Sequence, residues 1–288
     1  MTNFSFFSAI TMASLGGIFA LVLAIVYQWL KLEQDPRIKE LEEALPGLNC
    51  GACGFASCLI YAEAVLRGET SPNGCRPGGE EATQRLSAIL GVNAPGYTKR
   101  IAVVHCGANA SVRKKRGEYT GIPTCEGAQM VRGDILCAYG CLGYGDCFRA
   151  CPFDAIVMKD GLPVVIPSKC TACGACVKAC PRNLITIEAF DAVDGLTAVL
   201  CGSHAPGKET KEICPVGCIG CGICAKLTQN TVFSIIDNLA KVDYNQATNQ
   251  TNWELPRVKC PTGCIVQITE KDGTVRYHRK NAKEVLYG

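Results

Sequence analysis

Four runs of cysteine could do chemistry in this chain: CGACGFASC at 50–58, CAYGCLGYGDCFRACP at 137–152, CTACGACVKACP at 170–181 and CPVGCIGCGIC at 214–224. They hold most of the 21 cysteines in 288 residues. A disulfide framework is expected in a short secreted domain, and thiols this close in sequence rarely pair with each other. Zinc would ask for isolated C-x2-C pairs about 12–20 residues from a second pair or from histidines, and the chain has only three His. Cys170, Cys173, Cys176, Cys180 and Pro181 reproduce C-x2-C-x2-C-x3-C-P, in which three thiolates hold one iron–sulfur cubane and the fourth reaches its neighbour. The chemistry is therefore iron–sulfur ligation and one-electron transfer.

The spacing also sorts the thiols into ligand sets. Cys50, Cys53, Cys58 and Cys75 suit one [4Fe–4S] cluster, since C-x2-C-x4-C lacks the second tight pair of a zinc knuckle. By cross-ligation Cys151 joins Cys170, Cys173 and Cys176, while Cys180 joins Cys141 and Cys147, with Cys137 the nearest fourth ligand. Laying CAYGCLGYGDC (137–147) over CPVGCIGCGIC (214–224) matches Cys137, Cys141 and Cys147 with Cys214, Cys218 and Cys224, and Tyr144 with Cys221. Asp160-Gly161-Leu162 then falls on Asp237-Asn238-Leu239, and Cys180-Pro181 on Cys260-Pro261, so a second ferredoxin-like unit spans about 208–270. Its equivalents of Cys170, Cys173 and Cys176 lie in NQATNQTNWELP, and that of Cys151 is Thr228. Loss of one cluster accounts for all four, and leaves Cys218, Cys221, Cys224 and Cys260 as the set for the other.

Five cysteines remain: Cys106 and Cys201, in the matching pattern His105-Cys106-Gly107 and Leu200-Cys201-Gly202, with Cys125, Cys214 and Cys264. Either Cys106, Cys125, Cys201 and Cys214 hold a further cluster or they are buried, unligated thiols. Cys264 reads as structural, and His105, His204 and His278 as ordinary polar side chains. The expectation is four [4Fe–4S] clusters, with a fifth left open.

The elements that carry these turns follow from the rest of the pattern. Thr2 to Leu30 has no charged side chain, and Ala9–Leu30 is long enough, at about 1.5 Å per residue, to cross a hydrocarbon core of about 30 Å. A signal peptide would want a basic start and a small-residue cleavage site; instead the stretch ends in Tyr27 and Trp29. Lys31, Arg37 and Lys39 follow it and no Lys or Arg precedes it, although Glu33 and Asp35 reduce the local charge, which sets the bulk in the cytoplasm. A reducing compartment suits free thiolates as well. Pro36 marks the start of a short helix over 35–45, Ile101–His105 reads as a strand, Arg113–Arg116 as a solvated basic loop, and PFDAIVMKDGLPVVIPS as a hairpin. The expected fold is α+β: a single N-terminal transmembrane helix (1–30), a small four-Cys [4Fe–4S] module (31–99), a connecting segment (100–130), a two-cluster ferredoxin-like unit (131–190) and a degenerate second one (191–288). The net charge of +3 gives no argument for nucleic acid. With no GxGxxG, P-loop or nucleophile–base set, the chain offers no catalytic residue of its own.

An anchor, a CGACGFASC…C module, and CAYGCLGYGDCFRACPFDAI followed by CTACGACVKACP together resemble the iron–sulfur B subunit of the Rnf complex, an ion-translocating electron-transport complex. The resemblance covers nearly the whole chain, and the GCLGYGDC form of the first ferredoxin turn is its most specific part. It implies a single-pass protein of the bacterial cytoplasmic (inner) membrane that relays electrons between soluble ferredoxin and flavin-bearing and integral membrane subunits. The complex it implies is a translocase, a ferredoxin–NAD oxidoreductase moving Na+ or H+. The family's longer forms resemble this chain with a complete second ferredoxin unit. Two other readings of the residues are a membrane-tethered polyferredoxin serving another oxidoreductase and a zinc-stabilised membrane scaffold.

Overall fold

The computed structural model describes residues 2–30, 35–191, 194–248, 251–271, 273–280 and 285–287. Lys31 and Glu33, used above for orientation, and Asn249 and Gln250 of the NQATNQTNWELP segment lie outside the described residues.

Uniform apolarity makes the first element a continuous helix, α1 (Thr2–Leu30). Its window Ile10–Gln28 has a mean hydropathy of 2.2 and is not covered by the rest of the chain. This is one helix long and apolar enough to cross a membrane. Next comes a small helical unit of α2 (Pro36–Glu43), α3 (Cys58–Leu66) and α4 (Gly79–Leu90). Asp35 caps α2 by accepting from the Arg37 amide, with Pro36 in the first turn, and Ser57 caps α3 by accepting from the Ile60 amide. Both are ordinary side-chain caps for orphan N–H groups. Leu41, Leu45, Tyr61, Val65 and Leu86 form its core together with Cys75.

The remainder is built twice on one plan. In the first copy β1 (Arg100–Val104) leads, then α5 (Cys125–Met130), α6 (Asp146–Arg149), the hairpin β2 (Ile156–Lys159) and β3 (Leu162–Val165), α7 (Ala175–Ala179), and β4 (Ile185–Ala189), which pairs antiparallel with β1. The second copy leads with β5 (Leu196–Val199), then α8 (Gly207–Ile213), α9 (Ile223–Leu227), the hairpin β6 (Phe233–Ile236) and β7 (Leu239–Val242), α10 (Glu254–Lys259), and β8 (Ile265–Lys271) paired antiparallel with β5. Strands β9 (Thr274–His278) and β10 (Val285–Tyr287) extend that last sheet. Each copy thus closes on itself by pairing its first strand with its last, Val104 opposite Ile185 and Val199 opposite Ile265. The stretch 100–130 accordingly contributes β1 and α5 to the first copy.

The two hairpins turn through the residues matched in sequence. Asp160 and Gly161 have φ of 46° and 71°, and Asp237 and Asn238 have 49° and 64°. Two successive positive φ values match the right-handed strand twist, which is why Asp, Asn and Gly stand there. A shared core of Ile101, Val103, Phe190, Leu196, Val266 and Ile268 joins the copies.

Candidate metal centres

In the helical unit, Cys58 opens α3 while Cys50 and Cys53 lie on the preceding turn. Asn49 fixes that turn by accepting from the Cys58 amide at 2.7 Å. Tyr61 fixes the return: its hydroxyl donates to the Ser71 carbonyl and accepts from the Gly74 amide, both at 2.9 Å, just before Cys75. Burial pushes the Tyr61 phenol up to about 12, so it stays protonated. Cys75 is within electrostatic reach of Cys58, Cys53 and Cys50, as the sequence spacing requires of one set.

A second set gathers between β1, β3 and α7, where Cys176 is within reach of Cys170, Cys173 and Cys151. The Cys170 sulfur accepts the Ala102 amide at 3.4 Å and the Ala172 amide as well. Cys147 is also within reach of Cys176, so a third set lies alongside. That set lines one cavity with Cys125, Cys141, Cys147 and Cys180. The structure brings Cys125 to this place rather than Cys137. Thr124 caps α5, and the Glu126 amide donates to Asp146 Oδ2 at 3.1 Å, which docks the start of α5 on the start of α6 beside Cys147. Tyr144, at the position where the second copy has Cys221, packs edge-on against Tyr119 with ring centroids 5.5 Å apart.

In the second copy Cys218, Cys221, Cys224 and Cys260 line a cavity together with Cys264. Cys264 is buried, with its sulfur 3.6 Å from that of Cys260. Contact with Cys264 holds the Cys218 and Cys260 thiols below their ordinary value and raises that of Cys264 itself. Where this copy lacks the other set, Trp253 packs edge-on against Phe233 at 6.1 Å and stacks near Tyr244. Thr228, the counterpart of Cys151, donates to the Cys224 carbonyl at 3.1 Å and accepts from the Phe233 amide at 3.2 Å. Apolar packing occupies the place of those ligands.

Cys106, Cys137, Cys201 and Cys214 line one further cavity, between the copies. Arg182, directly after Cys180-Pro181, donates to the Cys137 and Gly140 carbonyls at 3.0 and 2.6 Å and to Gln129 Oε1 at 2.7 Å. Arg113 turns inward to the Ala108 and Gly161 carbonyls at 2.6 and 2.7 Å; of the basic loop only Lys114, Lys115 and Arg116 are exposed. His105 is engaged at both nitrogens, with the Val199 carbonyl and Thr186 Oγ1, each at 2.8 Å. His278 Nε2 meets Thr269 Oγ1 at 2.8 Å, and His204 packs edge-on against Tyr139.

These donor sets fit multi-iron clusters. Among the described residues no three His, Cys, Asp or Glu side chains converge on a point where one ion could sit, whereas a single tetrahedral zinc needs thiolates about 3.8 Å apart. Sulfurs spaced around a cavity suit a core that gives each thiolate its own iron. The ligand turns also present amides to the sulfurs: Gly143 to Cys141, Ala172 to Cys170 and Gly220 to Cys218. Such N–H···S bonds stabilise the negative charge of a bound cluster. Burial, reinforced by the neighbouring cysteines, pushes Cys141, Cys147 and Cys176 up to about 12, so loading these sets releases protons.

Similarity to known proteins agrees with this chemistry. Residues 45–77 match the protein family described as "Putative Fe-S cluster", and residues 163–186 match the family "4Fe-4S binding domain". The chain is 39% identical to the B subunit of the proton-translocating ferredoxin:NAD(+) oxidoreductase complex of Clostridium ljungdahlii, over 90% of this chain and 91% of that protein. It is 36% identical to the B subunit of the Na(+)-translocating ferredoxin:NAD(+) oxidoreductase complex of Acetobacterium woodii, over 93% of this chain and 77% of that protein. To the B subunit of the ion-translocating oxidoreductase complex of Methanosarcina acetivorans it is 36% identical, over 84% and 91%. With an apolar N-terminal helix, a mixed helix–strand body carrying iron–sulfur domains and this extent of similarity, the chain belongs to the family of B subunits of the Rnf complexes, the ion-translocating ferredoxin:NAD oxidoreductases.

Proposed function

We propose that this chain is the electron-relay subunit of a membrane-bound, ion-translocating ferredoxin:NAD oxidoreductase. It exchanges electrons with soluble ferredoxin and with the flavin-bearing and integral membrane subunits. Four sets serve as ligands: Cys50, Cys53, Cys58 and Cys75; Cys151, Cys170, Cys173 and Cys176; Cys125, Cys141, Cys147 and Cys180; and Cys218, Cys221, Cys224 and Cys260. A [4Fe–4S] cluster held by such a set takes up and gives back one electron without making or breaking a bond in substrate.

The observation that carries this reading is the placing of whole sets side by side. Tyr97 lies within electrostatic reach of both Cys75 and Cys170, and Arg76 donates to the Ala172 carbonyl at 3.4 Å, so the helical unit abuts the ferredoxin-like one. Cys147 and Cys176 join the next two sets. The protein's own part is to hold the sets, to orient amides and the Cys264 thiol toward their sulfurs, and to keep water from the buried ones. Helix α1 tethers the relay at the membrane, and Arg37 and Lys39 behind it favour a cytoplasmic bulk.

Iron and acid-labile sulfide, with EPR of the anaerobically purified, dithionite-reduced protein, test the proposal. At least about 16 Fe per chain with signals of reduced [4Fe–4S] clusters is expected. Zinc without sulfide would overturn it.

A further inference from the structure

Cys106, Cys137, Cys201 and Cys214 come two from each copy of the repeated unit, and they are two pairs of counterparts. Cys106 follows β1 as Cys201 follows β5, and Cys137 opens its turn as Cys214 does. The turns match in detail. Gly140 N donates to the Cys137 carbonyl at 3.4 Å, and Gly217 N to that of Cys214 at 3.2 Å. A Cβ on Gly140 would stand 3.4 Å from the Cys137 sulfur, and one on Gly217 3.4 Å from the Cys214 Cβ. Both glycines leave the face of the cysteine open.

The sulfurs are dressed like those of the ferredoxin-type ligands. Cys137 accepts the Tyr139 amide, Cys201 the Ser203 amide and Cys214 the Val216 amide. This is the same two-residue offset by which Cys141, Cys170 and Cys218 accept Gly143, Ala172 and Gly220. Three ligand turns of one kind in one wall are not needed to bury free thiols. The cavity they surround measures about 80 Å³, against about 20 Å³ at each neighbouring set. Cationic groups are at hand: Arg182 holds the Cys137 carbonyl, and Arg279, near Cys214, donates to the Gly107 carbonyl at 3.1 Å.

We infer that these four cysteines hold a further [4Fe–4S] cluster at the seam between the two ferredoxin-like units, where it bridges the last set to the other three. The inference rests on the relay reading above. On one side the Cys141 amide donates to the Cys106 sulfur at 3.4 Å; on the other Cys218 lies within electrostatic reach of Cys201. The sets then follow one another in a single line from Cys50 to Cys221. Of the 21 cysteines, all within the described residues, only these two are exposed, and they belong to the first and the last set. A line with accessible ends and covered middle stations is what a relay between two partners requires. Each transfer moves one electron from a reduced set to the oxidised one beside it, with ferredoxin the electron donor or acceptor at one end and a flavin-bearing subunit at the other.

The test compares the full chain with Cys201→Ala and Cys214→Ala by metal analysis, EPR and stopped-flow reduction. About 20 Fe per chain is expected, falling to about 16 in each variant. Dithionite should still reduce all remaining clusters. Reduction of the last set on the timescale of the other three, when reduced ferredoxin is the donor, should be lost. An unchanged count of about 16 Fe in wild type and both variants overturns the bridge and leaves the four-set relay standing. One Zn at the seam overturns it too, whereas absence of iron and sulfide from the wild type overturns the relay itself. If a variant fails to fold, the wild-type count alone decides between 16 and 20.

Discussion

The backbone amide of Cys141 donates to the sulfur of Cys106 at 3.4 Å. A residue of one cysteine set is thereby hydrogen-bonded to a residue of the next. In the second copy Cys218 likewise lies beside Cys201. The spacing between neighbouring sets is consequently fixed by main chain rather than by mobile side chains.

Cys125 and Tyr144 give a rescue experiment. Tyr144 stands where the repeat has Cys221, and in the proposed ligand set Cys125, from α5, takes that place. Cys125→Ala should lose about four Fe per chain, and the double variant Cys125→Ala/Tyr144→Cys should regain them. Cys137→Ala should leave the EPR signal of that set in place. Loss of that signal in Cys137→Ala but not in Cys125→Ala would return Cys137 to the ligand role its sequence position suggests.

Cys264 should tune and not ligate. Replacing it by Ala removes a buried sulfur in hydrogen-bonding contact with Cys260 and close to Cys218, and a sulfur with one donor fewer holds an added electron less well. Iron content is expected to stay unchanged. The midpoint potential of the last set should become more negative by roughly 40 mV, the equivalent of about 1 kcal/mol for one electron. Redox titration followed by EPR measures it.

Arg182→Gln leaves the Cys137 and Gly140 carbonyls without their charged donor. A loss of roughly 2 kcal/mol in unfolding free energy is expected, read by anaerobic urea denaturation. Arg182→Lys should recover only part of it, because one ammonium cannot reach the carbonyls, Gln129 and the Arg132 carbonyl together.

His105 couples stability to pH. The Val199 carbonyl can only accept, so Nδ1 carries the proton and Nε2 accepts from Thr186. Burial holds the ring below its ordinary value of 6.5 and keeps it neutral. The unfolded chain binds a proton there more readily than the folded one. The ring's contribution is therefore complete above pH 6.5 and lost as pH falls below it. Between pH 7 and about 5.5 the urea midpoint should fall more steeply for wild type than for His105→Gln, normalised to each protein at pH 7.

Much of this was legible in the sequence because ligand turns are local. C-x2-C-x2-C-x3-C-P brings Cys170, Cys173 and Cys176 near one another with no help from distant residues. The Asp160-Gly161 and Asp237-Asn238 turns likewise follow from their residue types. The cysteine that shares a cavity with Cys141, Cys147 and Cys180 was not legible in that way. Cys125 reaches them only because α5 docks on α6 through the Glu126–Asp146 contact, and proximity in sequence favoured Cys137. A signal was present: Thr124-Cys125 is a capped helix start, and Tyr144 left a ligand position open. Arg113 misled for a similar reason. In a run of four basic residues nothing local distinguishes the one that turns toward Ala108 and Gly161.

The pairing of first strand with last in each copy bears on how the molecule is made. Val104 must find Ile185 before β1 is held, and Val199 must find Ile265; such distant partners meet late in folding. Cys137 and Cys180 leave the ribosome well before Cys214, so the helical unit and the first copy can receive iron and sulfide while the second is still being synthesised. The seam has no complete set of donors until both copies have closed. A cluster at the seam therefore has to await the closing of both copies.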